Sequence, residues 1–169
     1  MSEGFTDGAP EGSTAESRRR SPTANEMRAW RAFIETSEAA KQALALRLQE
    51  ESGLSMGDYA VMVALYDQPG HSMRSSQLAE AISWERSRLS HHLGRMERRG
   101  LVSRQAATGD NRGAKILLTA EGAHLYRKAS SPHLHAIRDI FITPLSAVQL
   151  NHVEDAMRTL AAYLASLRI

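Results

Sequence analysis

The 169 residues include no cysteine, which excludes disulfides, thiolate zinc sites, thiol nucleophiles and any thiol-based redox sensor. No apolar run approaches the roughly 20 residues that span a bilayer. The first residues are polar and unlike a secretory signal, so a cytoplasmic protein without a membrane partner is expected. No nucleotide-binding glycine motif occurs, and the serines and histidines show no third-group pattern that would suggest a catalytic triad, so an enzyme is not expected. The seven histidines include His91-His92 and His133-x-His135. Adjacent or alternate residues on a helix do not share a face, so neither pair chelates alone, and no metal or other cofactor is expected.

Net charge is also scarce, +2 overall, until it is located. Residues 74–115 hold nine basic residues and four acidic ones, a net +5, which leaves −3 for the remainder. A basic block on a mildly acidic body is the footprint of a nucleic-acid surface, although a solvated charged face alone would give the same count.

Residues 1–24 are rich in Gly, Ser, Thr, Glu and Pro without apolar periodicity, and are read as a disordered tail. Within it, Arg18, Arg19 and Arg20 are read as a solvated run in preference to a basic arm on DNA. From residue 25 to about 52, Trp30, Phe33, Ser37, Ala40, Leu44 and Leu48 keep helical spacing. Ser55 and Asp58 then form a capping-box start for a helix to about Tyr66. After the Asp67-Gln68-Pro69-Gly70 turn, residues 71–73 suit an edge strand and residues 75–82 a short helix.

The stretch 85–99 organises the rest. Leu89, Leu93 and Met96 make one apolar stripe, and Arg86, Ser87, Arg88, Ser90, His91 and Arg95 make the opposite face. Ser83 is expected to cap this helix and Gly100 to end it. Two helices separated by a few residues, the second basic, form a helix-turn-helix. Residues 101–106 and 114–118 then read as strands about the turn-forming residues 108–113, giving a hairpin wing. Thr119 should cap a helix reaching about Phe141, kinked or broken at Pro132. Ser146 and Gln149 cap the last helix, whose stripe of Leu150, Val153, Met157, Leu160, Leu164 and Leu167 is expected to make a dimer interface. The fold class is therefore mainly α with a small β-hairpin wing: a winged helix-turn-helix lobe at 55–118 and a helical dimerisation region at 25–54 and 119–169.

With these elements in order, the sequence resembles the MarR (multiple antibiotic resistance regulator) family of bacterial transcription factors over residues 25–167. The residues that carry the likeness are Leu78-Ala79-Glu80, the helix at 87–93, Met96-Glu97-Arg98-Arg99-Gly100-Leu101-Val102, the wing Asp110-Asn111-Arg112-Gly113, and Leu118-Thr119-Ala120-Glu121-Gly122. The resemblance implies a homodimer on a palindromic operator in double-stranded DNA, usually a repressor, released by a small and often aromatic ligand. It also implies a minor-groove role for Arg112, with Asp110 bracing an arginine; a purely structural turn is the alternative for both.

The N-terminal turns of a major-groove helix reach base edges, so Arg86 or Arg88 is expected to read a base. Ser87, Ser90 and His91 suit bases or phosphates, Arg95 a phosphate, and Ser75 and Ser76 the DNA backbone. Arg98 and Arg99 suit either DNA or a solvated helix end. A small-molecule effector is expected near Trp30, Phe33, Tyr59, Met62, His124 and Tyr126, each of which would also serve as core. The competing function is a winged-helix interaction or architectural module with only non-specific DNA affinity.

Overall fold

The computed structural model describes residues 20–106 and 114–167. The tail with Arg18 and Arg19, and the wing turn with Asp110 and Arg112, lie outside the described residues. The elements are α1 (Ala24–Ser52), α2 (Met56–Tyr66), β1 (Ser72–Arg74), α3 (Ser75–Ala81), α4 (Arg86–Arg98), β2 (Val102–Ala106), β3 (Ala114–Leu118), α5 (Ala120–Ile137) and α6 (Ala147–Ser166). A 3-10 turn at Pro69–His71 precedes β1, and a π turn at Arg138–Ile142 follows α5. The chain divides into two compact units, Met1–Ala39 and Ala40–Ile169.

In the first unit, the start of α1 is fixed by a reciprocal cap. Glu26 N–H donates to Thr23 Oγ1 at 3.3 Å, and Thr23 N–H donates to the Glu26 carboxylate at 2.6 Å. Trp30 and Phe33 sit one turn apart with ring centroids at 6.2 Å, both exposed.

In the second unit, the capping box at α2 forms as expected from Ser55 and Asp58. Gly53 and Gly100 both take φ near +70°, where a glycine carries no Cβ penalty. The sheet runs β1-β3-β2, all antiparallel, with Ser72 opposite Leu117 and Val102 opposite Leu118. Along β3, Ile116 and Leu118 are buried and Lys115 is exposed, so one face of the sheet closes on the helices. The core holds Leu48, Leu54, Val61, Met62, Leu65, Leu78, Leu89, Leu93, Met96, Val102 and Ile116.

Two expectations are corrected. Ser83 does not cap α4: the residue before that helix is Glu85, with no side-chain cap, and Ser83 has φ +54°. Its N–H instead donates to Glu80 O at 3.0 Å, and Trp84 N–H to Ala79 O at 2.8 Å. This pair of bonds is the Schellman closure of α3, with serine in the position usually given to glycine. Pro132 does not break α5, which continues to Ile137. Buried Ala129, His133 and Ala136 keep the helix seated past the missing N–H, and the α geometry gives way only at the π turn, where Thr143 N–H donates to Arg138 O at 2.7 Å.

Wing and helices are joined at a tight seam. Thr119 Oγ1 donates to Gly100 O at 2.7 Å and accepts from Gly122 N–H at 2.9 Å. A Cβ at Gly122 would lie 2.1 Å from Leu101 O, so α5 reaches this strand only because residue 122 has no side chain. The outer helix α6 begins at the Ser146–Gln149 capping box and buries none of its residues. Val153, Met157, Leu160, Leu164 and Leu167 stand exposed along it, and Leu150 is half-buried.

Candidate nucleic-acid interface

The apolar stripe of α4 works as its spacing requires. Leu89, Leu93 and Met96 are buried, while Arg86, Ser87, Arg88, Ser90, His91 and Arg95 are all exposed on the other side. Of the adjacent histidines, His91 faces out and His92 is buried. Ser75 and Ser76 open α3, half-buried and exposed in turn. The helix is tied to the wing by Arg104 of β2, which donates to Ser90 O at 2.8 Å and lies 3.5 Å from the Glu97 carboxylate.

Beneath the exposed row lies a buried polar network. Asp58 accepts from Arg99 Nη1 at 2.7 Å and from Ser55 N–H at 3.0 Å. The side chain of Asp58 is 4 % exposed against 42 % for Arg99. Arg99 also donates to Gly53 O at 3.1 Å, so the end of α4 is fixed to the turn between α1 and α2. Burial pushes the Asp58 carboxyl up, but the bonds from Arg99 and Ser55 outweigh it and hold the group below the usual carboxylate range. His92 Nε2 lies 3.0 Å from Asp58 Oδ1. Its Nδ1 lies 2.7 Å from Arg95 Nη2. A guanidinium only donates, so Nδ1 is the acceptor, and the neutral ring carries its proton on Nε2 facing the carboxylate. Burial keeps His92 below the usual histidine range; Asp58 opposes this, and Arg95 and Arg88 add to it.

Neither Trp84 nor His92 stands out in the sequence as part of a site. The indole of Trp84 meets the His92 ring edge-on, with centroids 5.1 Å apart, and Arg88 Cζ sits 4.3 Å from the indole centroid. The α4 register gives a partial signal for His92, since it lies three residues after Leu89 and four before Met96 on the buried side.

Among the expected effector residues, Tyr59 and Tyr126 come together, with ring centroids 5.5 Å apart. Tyr66 and His133 extend the cluster, at 4.6 Å from Tyr126 and 4.5 Å from Tyr59. Met62 is fully buried in the core and His124 is exposed, so neither joins these rings. Trp30 and Phe33 belong to the first unit. Burial raises the Tyr126 phenol and lowers His133, whose Nδ1 is buried without a hydrogen-bond partner among the described residues. Among the described residues, no group of three or more His, Asp or Glu is placed to hold a metal, and no helix is long and apolar enough to cross a membrane.

Residues 54–113 match the MarR family model. The chain is 34 % identical over 117 residues to the transcriptional regulator HosA of Escherichia coli O157:H7, covering 69 % of this chain and 84 % of that protein. The structure of AbsC, a MarR family transcriptional regulator from Streptomyces coelicolor, superposes with a TM-score of 0.79 at 35 % identity, over 87 % of this chain and 99 % of that one. Sco3205, a MarR family regulator of the same organism solved in complex with DNA, gives 0.78 at 32 % identity, over 84 % and 89 % of the two chains.

Proposed function

This chain belongs to the MarR family of transcriptional regulators, and from that premise we propose that it is a homodimeric, sequence-specific repressor of a palindromic operator, released by a small ligand. The observation that carries the reading is the exposed row on α4, set opposite a fully buried stripe and beside the wing. Arg86 or Arg88 reads a base in the major groove, where a guanidinium bonds guanine in two places. Ser87, Ser90 and His91 complete the groove contact, Arg95 meets a phosphate, and Ser75 and Ser76 hold the DNA backbone. Arg112 enters the minor groove from the wing, with Asp110 as its brace. The exposed apolar face of α6 supports pairing of two chains, which sets half-sites about one helical turn apart. An aromatic effector is favoured by the rings of Tyr59 and Tyr126. The protein works in the cytoplasm, and its operator is to be sought in the DNA flanking its own coding region.

The test is a fluorescence-anisotropy titration at fixed, near-physiological salt, using a duplex recovered by in vitro selection and a random duplex of equal length. Arg88→Ala is expected to change sequence preference and Arg112→Ala to weaken binding, each by about 1–3 kcal/mol. A selected-to-random affinity ratio near one for the wild type overturns the reading in favour of an architectural or protein-interaction module.

A further inference from the structure

Trp84 has no role in the reading above, yet it sits half-buried beside the DNA-facing row and is held from several sides. Its backbone direction is set by the Schellman turn, through its own bond to Ala79 O and that of Ser83 to Glu80 O. The indole reaches back over α2 at Gly57, where a Cβ would lie 2.8 Å from Trp84 Cη2 and 2.9 Å from His92 Cε1. Only a glycine leaves that seat open. One side of the indole is braced by the edge-on His92 ring, itself fixed between Asp58 and Arg95. Over the indole lies the guanidinium of Arg88. Trp84 also lines an open cleft of about 580 Å³ with Ser76, Arg86 and Ser87, between the starts of α3 and α4.

We propose that Trp84 is a positioning residue for DNA recognition: its indole is a fixed platform that presents Arg88 to the base it reads. The proposal rests on the assignment of α4 as the base-reading helix. Stacking uses the flat face of a guanidinium, whereas bidentate bonding to guanine uses its N–H edge, so the platform and the base do not compete. An arginine already stacked has less rotamer freedom left to lose on binding than one moving freely in water. His92 and Gly57 act one layer further in, by keeping the indole from tilting.

A double-mutant cycle on the intact protein separates this role from simple packing. With the selected duplex, Trp84→Leu is expected to weaken binding about three- to tenfold and to leave random-duplex affinity unchanged. Trp84→Tyr and Trp84→Phe, which keep a ring, should retain part of the affinity, so the cycle can be run on Trp84→Phe if the leucine variant does not melt cooperatively. In an Arg88→Ala background the same change at Trp84 should have no further effect on selected-duplex affinity. A Trp84 substitution that lowers selected and random affinities alike, or that multiplies the Arg88→Ala loss, overturns the platform while leaving the reading helix in place. Wild-type affinity and preference in Arg88→Ala alone removes Arg88 from base readout, and the platform with it.

Discussion

Replacing Asp58 by asparagine removes the charge that fixes Arg99 and weakens the capping box at Ser55, and should cost about 2–3 kcal/mol in a urea titration. The cap was legible as a Ser and an Asp three residues apart. The ion pair was not, because Arg99 is 41 residues away and its partner is chosen by how α4 packs on α2. His92 was half legible: its place three residues after Leu89 and four before Met96 turns it inward, but its partners Asp58 and Trp84 are set by how α4 packs on its neighbours. These groups also set the acid response. The lowered Asp58 contributes stability above the ordinary carboxylate range, and loses it as the pH falls through and below that range. For His92 and His133 the folded state resists protonation, so below about 6.5 the unfolded chain binds protons that the native one does not, and stability falls with falling pH. The melting temperature is therefore expected to drop between pH 7 and pH 5, with a smaller slope in His133→Gln. Ser83→Gly should act in the opposite sense, raising the melting temperature by relieving a φ of +54° that serine adopts at a cost of order 1 kcal/mol.

Helices and strands were legible wherever a local signal sets them, as with the capping boxes at Ser55 and Ser146, the cap at Thr119, and the glycine that ends α4. Errors arose where two local signals compete. A serine between two helices suits the end of one as well as the start of the next, and the Ala79 and Glu80 carbonyls at the end of α3 claimed Ser83 and Trp84. A proline in a helical pattern predicts a break, but the buried stripe of α5 held it in place. Two glycines at the wing seam separate conformational from steric demand. Gly100→Ala meets no atom within 4 Å and should cost only the strain of a positive φ, about 1 kcal/mol. Gly122→Ala drives a methyl group into the Leu101 carbonyl and should cost about 2–4 kcal/mol, read from paired denaturation curves.

At the scale of the whole molecule, the exposed apolar row of α6 is expected to carry the assembly. Met157→Glu combined with Leu160→Glu should shift sedimentation toward the monomer at micromolar concentration and lower operator affinity, with α4 untouched. The basic block was legible at this scale because charge is counted without knowing the fold, and five of the arginines in it lie on α4 or at its end. The aromatic cluster was only half legible, since Tyr59 and Tyr126 meet by packing of α2 on α5 while His124, on the same helix as Tyr126, turns to solvent. Sheet order adds a constraint on timing. Ser72 enters the chain ahead of both helices of the reading motif, and its partner Leu117 follows them, so this part of the lobe is closed by a pairing that skips over everything between. On a ribosome, α4 is made well before the strand that shuts the sheet behind it. A translation product that stops short of Leu117 therefore lacks the strand that closes this sheet, and is expected to bind DNA less well than the full chain.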